Sequence, residues 1–165
     1  MVCYFLCLRF YMALSQQKRR EILFQLLFSH DFIEVDDDES NEFMMKEFFI
    51  TRKAAREILQ DVKVIASHMQ DVDAKIAAYS KSYEFHRIPK IELNILRLAV
   101  YEMLYVPSLP PKVSIAEAIR LARKYSTAES SSFINAVLDA IFQTESKITD
   151  AGELEHELSI PVHSE

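Results

Sequence analysis

Apolar positions crowd most densely into residues 88–105, where Ile91, Leu93, Ile95, Leu96, Leu98, Ala99, Val100, Met103 and Leu104 leave few polar residues between them. A surface helix carries a narrower apolar stripe, so this segment is expected to be a helix buried among others. Pro89 fixes φ and needs no amide partner, which suits a first helical turn. Pro107, Pro110 and Pro111 forbid continuation. Glu92, Asn94, Arg97 and Glu102 are the few polar residues this helix must accommodate.

The remaining pattern is also helical. Residues 15–32 carry Ile22, Leu23, Leu26 and Leu27 on one face, with Phe24 and Phe28 a turn apart beside it and Ser15 placed to cap the start. An acidic run at 34–41 reads as a loop. Residues 42–49 suggest a short helix with Phe43, Met44, Phe48 and Phe49 inward. Residues 51–66 turn Ala54, Ala55, Ile58, Leu59, Val62 and Ile65 inward, with Arg52, Lys53, Arg56 and Lys63 outward. A break near His68 precedes a helix at 71–79, and 81–86 lead into the central helix. The runs SIAE (114–117) and STAE (126–129) read as capping boxes, in which a hydroxyl and a glutamate satisfy free amides. They predict helices at 114–125 and 127–142. Ile115, Ala118, Ile119 and Ala122 face inward on the first, and Phe133, Ile134, Val137, Leu138 and Ile141 on the second.

Composition supports an all-α fold. The chain has 165 residues, half of them hydrophobic, and one glycine, Gly152. Tight hairpins and bulges use glycine, so strand-rich architectures are disfavoured. Residues 15–143 are expected to form one helical domain, with 1–14 an apolar extension and 144–165 an acidic mobile tail. Residues 1–14 are too short to span a membrane, which takes about 20 apolar residues, and lack the charged start of a signal peptide. A translation start at Met12 is expected, with the preceding residues loosely packed. Cys3 and Cys7 form no disulfide framework and fit a reducing, cytoplasmic setting.

The formal charge of −6 is uneven. Residues 34–42 contribute −6 and 145–165 contribute −5, so the rest of the chain carries +5. A basic body of this kind suits a nucleic-acid partner, and the acidic runs are read as solvated. Lys18, Arg19 and Arg20 stand at the start of the first helix, where cations oppose the macrodipole. That broken local rule marks either a functional surface or a chance cluster. Arg97 is expected to be buried and tied to a carboxylate such as Glu117 or Asp139. The five histidines lack metal-ligand spacing, no glycine-rich phosphate loop exists and no nucleophilic triad is recognisable. No metal or cofactor is expected.

Three blocks, ILRLAVYEMLY (95–105), LPPKVSIAEAIRLARKYS (109–126) and FINAVLD (133–139), with KRREILFQLLFS (18–29) before them, resemble the NusB family of bacterial transcription antitermination factors. Their order and spacing agree over roughly residues 15–142. The family pattern usually has Asn at Ala116, Gly at Ser126 and Ala136, and more arginines in the first helix. The resemblance implies about seven helices in two antiparallel subdomains, and no enzymatic activity. It implies binding of boxA-type single-stranded RNA from ribosomal RNA leader transcripts, together with NusE, a small-subunit ribosomal protein. It also implies a place in the RNA polymerase elongation complex.

By the same resemblance Lys18, Arg19 and Arg20 match phosphate contacts, which make affinity salt-dependent. Phe28 and Phe133 match aromatic positions that could stack bases; a core role is the alternative for each. Glu129 matches an acid at the start of the last helix and also completes a capping box. Glu92 matches an acid on the NusE face, with helix-start electrostatics as the alternative, and Tyr101 shares its helix as a partner-binding candidate. A competing reading is a helical interaction module, or an accessory domain like that of some ribosomal RNA cytosine methyltransferases, without RNA specificity of its own. No methyl-donor-binding α/β segment occurs in these residues.

Overall fold

A computed structural model describes residues 14–30, 37–80 and 84–158, with side chains at 14–29, 41–80 and 84–147. The expectations for residues 1–13, 31–36, 81–83 and 159–165 lie outside the described residues. Seven α-helices and one 3-10 turn appear, and no strand, among the described residues. They divide into two compact units that meet at His68 and Met69.

The first unit holds α1 (Gln16–His30), α2 (Asp37–Phe48) and α3 (Arg52–Ser67). Ser15 caps α1 through the Lys18 amide at 3.2 Å, and Thr51 caps α3 through the Ala54 amide at 3.2 Å. Each hydroxyl satisfies an amide that has no helical partner. Both α1 and α2 pack on α3. Ile22, Leu23, Leu26 and Leu27 of α1, Met44 of α2, and Ala55, Ile58, Leu59, Val62 and Ile65 of α3 make the core.

Helix α2 departs from expectation twice. It begins at Asp37, inside the acidic run read as a loop. Acidic residue types are favoured in a first helical turn, a cue that outweighs their loop-like composition. Only Met44 of the four expected core residues is fully buried. Phe43 and Phe49 are 59% and 93% exposed, and Phe48 is half-buried. The backbone explains Phe49: it follows the last residue of α2 with φ 53°, the left-handed conformation usually given to glycine after a helix. For a residue with a Cβ this conformation costs about 1–2 kcal/mol.

The second unit holds α4 (Met69–Tyr79), the 3-10 turn Phe85–Arg87, α5 (Lys90–Tyr105), α6 (Pro111–Tyr125) and α7 (Ala128–Leu158). Helix α5 packs against α4, α6 and α7, as its apolar density requires. Residues 92 through 100 are all buried, polar ones included, whereas 101–104 are half-buried. Val72 and Ile76 of α4, Ala118, Leu121 and Ala122 of α6, and Ile134, Val137, Leu138 and Ile141 of α7 complete the core. Ile115, Ile119 and Phe133, expected inward, are half-buried, and Leu121 takes the central place on α6.

Helix ends correct both capping boxes. Helix α6 starts at Pro111, with Pro110 as its N-cap, because a proline at the first position needs no amide partner. Ser114 therefore lies inside the helix, buried, and its hydroxyl finds no partner in the structure. Helix α7 starts at Ala128 with Thr127, not Ser126, as the cap: Thr127 Oγ1 accepts the Ser130 amide at 3.2 Å. The helix runs to Leu158, past the end expected at 142. No proline interrupts it, and the Lys75 ammonium on α4 pairs with Glu145 beyond that point. This hydrogen bond to Glu145 raises the Lys75 pKa. The pair's contribution is therefore present at neutral pH and lost as pH rises through the folded-state value. A partly exposed pair of this kind is worth at most about 1 kcal/mol.

Candidate nucleic-acid interface

The basic start of α1 is only partly a free surface. Arg19 Nη2 donates to Asp61 of α3, and Arg19 Nη1 lies 3.9 Å from Glu57. Glu57 in turn lies 4.0 Å from the Lys53 ammonium. Arg20 is buried at 7% exposure. The α3 carboxylates thus supply the compensation that the sequence pattern hid, and the macrodipole cost at Arg19 is offset locally. Of the three cations only Lys18 is exposed. Its ammonium sits 5.6 Å from the centroid of the Phe48 ring, within cation–π range. Phe28 is half-buried ten residues further along α1, about 15 Å from Lys18 at 1.5 Å per residue.

The other expected contacts belong to the second unit. Glu129 is exposed on the first turn of α7. A hydrogen bond with its own backbone, and then one with the Thr127 hydroxyl, hold its carboxyl below the usual range. Phe133 lies half-buried one turn on. Replacing Thr127 by alanine is expected to cost about 0.5–2 kcal/mol through loss of the α7 cap. Urea unfolding checks this, and an unchanged midpoint would remove Thr127 from the role.

Glu92 does not present its carboxylate to a partner. It is 6% exposed, and its Oε1 accepts hydrogen bonds from the Ser126 hydroxyl and, at 2.6 Å, from the Ser130 hydroxyl. Its Oε2 is buried with no hydrogen-bond partner among the described residues. The carboxylate therefore ties the start of α5 to the junction of α6 and α7. Tyr101 is half-buried and stacks on Tyr105, with centroids 5.5 Å apart. Arg97 is buried as expected, but its partner is Asp73 of α4. Nε and Nη2 reach the two carboxylate oxygens at 2.8 Å each, and Nη1 donates to Asn94 Oδ1 at 3.3 Å. Glu117 instead pairs with Arg120, and Asp139 accepts from Gln143.

Among the described residues no group of three His, Cys, Asp or Glu side chains converges to hold a metal ion. None of the described helices is long and apolar enough to cross a membrane. The aromatic corner at Phe48 and Phe49 was missed in the sequence, because an apolar residue after a helix gives no sign of pointing outward. What remains at the surface is an exposed cation beside the Phe48 ring in one unit, and a capped, acidic helix start in the other.

These features define an all-helical binding protein made of two helical units. Residues 17–143 match the model of the NusB family. The transcription antitermination protein NusB of Geobacter sp. (strain M21) is 33% identical over 138 residues, which cover 79% of this chain and 95% of that protein. The protein of the same name from Chloroherpeton thalassium is 34% identical over 132 residues, but the chain spans only 63% of its length. Among solved structures, NusB from T. maritima superposes with a TM-score of 0.67 at 27% identity, covering 79% of this chain and 92% of that one. A structure of antitermination factors NusB and NusE in complex with dsRNA gives 0.65 at 25% identity, covering 78% and 96%. The chain belongs to the NusB family, whose named members are transcription antitermination proteins rather than enzymes.

Proposed function

We propose that the chain binds boxA-type single-stranded RNA of ribosomal RNA leader transcripts together with NusE. In this reading it joins the elongating RNA polymerase in the cytoplasm and suppresses premature termination. The observation that carries the reading is its kinship with a NusB solved together with NusE and RNA. The exposed Lys18 beside Phe48 supplies a phosphate contact of the required chemistry, and Phe28 and Phe133 are half-buried aromatic residues for base contacts. Glu92 acts on any NusE face indirectly, by holding the α5–α6–α7 junction, while Tyr101 and Tyr105 lie nearer the surface.

Fluorescence anisotropy with boxA and scrambled RNA, each with and without NusE, tests this. Tighter binding of boxA, strengthened by NusE and weakened by salt, is the expected result. Lys18→Ala is expected to flatten the dependence of log affinity on log salt by about 0.7, the share of one phosphate contact on a single strand. Arg19→Ala removes the Asp61 pair, so its effect must be read against its own stability loss. Equal affinity for boxA and scrambled RNA with NusE present would overturn the reading and favour a helical module without RNA specificity.

A further inference from the structure

Phe49 is the most exposed large apolar side chain in the described part of the chain. A solitary exposed hydrophobic residue needs no explanation by itself. This one also holds a left-handed backbone that glycine, asparagine or aspartate would adopt at lower cost. Strained backbone positions cluster at functional sites. With the residue 93% exposed, core packing does not account for its side chain.

Exposed cations lie close to it in the chain and on the neighbouring ring. The neighbouring Phe48 ring carries the Lys18 ammonium at 5.6 Å. Arg52 and Lys53 open α3 three and four residues later, both exposed. The nearby carboxylates are already engaged in part. Glu42 is held below its usual range by a hydrogen bond and charge attraction from Lys46, with a smaller pull from Arg52, and Glu57 faces Arg19 and Lys53. Glu47 is a further exposed acid on α2. Single-stranded RNA is taken up by an exposed ring that stacks a splayed base, with cations nearby for its phosphates.

We propose that Phe49 is a stacking platform for one unpaired base of a single-stranded RNA, with Lys18, Arg52 and Lys53 meeting the flanking phosphates. The inference rests on the RNA-binding reading and extends the RNA path on the first unit from the start of α1 to the α2–α3 corner.

The test uses the full chain with NusE and a short fluorescein-labelled boxA RNA. Phe49→Gly removes the ring and suits the left-handed backbone, so the fold is expected to persist, as checked by its melting transition. Its RNA affinity should fall about 5- to 150-fold, the range for one stacked base. Phe49→Trp should restore it, with the salt slope unchanged in both variants. RNAs with single abasic substitutions should show the Phe49→Gly loss vanishing at one position, which identifies the stacked base. Parent-like affinity of Phe49→Gly would overturn the platform and leave the RNA-binding reading standing. Parent-like RNA affinity with loss of NusE binding would also overturn it and assign the ring to a protein contact. Absence of RNA binding by the parent chain itself would overturn both.

Discussion

Asp73→Ala is expected to lower the unfolding free energy of the protein by about 3–5 kcal/mol, because it strips the two-pronged carboxylate from a buried guanidinium. Arg97 sits in the middle of α5 and is 7% exposed. Its charge is tolerated there because Asp73 supplies both oxygens in fork geometry, the arrangement that suits arginine best. The pair itself need not be net stabilising, since desolvation of both ions opposes their attraction. Arg97→Met combined with Asp73→Leu is therefore expected to recover most of what the single change loses. Urea unfolding at constant slope separates the outcomes. A single-variant loss below about 1 kcal/mol would show that other acceptors hold the charge.

Leu96→Ala is expected to cost about 2–5 kcal/mol, the combined effect of lost apolar transfer and an unfilled cavity. Leu96 is completely buried at the middle of α5, where three other helices converge. Leu104→Ala, two turns further along the same helix, truncates a half-buried side chain and should cost clearly less. Thermal and urea midpoints of the two variants, measured together, test whether the organising role of α5 ends at Val100. Equal losses would extend the packed region to the end of the helix.

The buried helix, the helix class and the family were legible in the residues. Apolar density at 91–100 translates directly into burial, and proline placement brackets α5 at both ends. Less legible was which side chain answers which. Arg97 needed a carboxylate, but nothing in the order of residues favours Asp73, 24 positions away, over Glu117 or Asp139. The same blindness made the basic start of α1 look like bare surface, when Asp61, 42 residues on, holds Arg19. Caps were misplaced where two signals competed. Proline at 111 overrode the serine at 114, and Thr127 displaced Ser126, whose hydroxyl turned to Glu92 instead. Phe43 and Phe49 were mistaken because hydrophobicity states a preference for burial, and a helix of this width cannot bury every apolar residue it carries.

The helix ends carry one more consequence. Among the described residues only Phe49 has a positive φ, and no glycine supplies a left-handed cap. Elsewhere among the described residues, helix starts are set by prolines at 89, 110 and 111 and by the hydroxyls of Ser15, Thr51 and Thr127. Each glycine a chain avoids, at a position another residue can occupy without strain, removes conformations from the denatured ensemble and is worth about 0.4–1 kcal/mol. Globular chains average about 7% glycine, and this one has a single glycine in 165 residues. Part of its stability therefore resides in the state it leaves on folding: an unfolded chain with comparatively little freedom to lose.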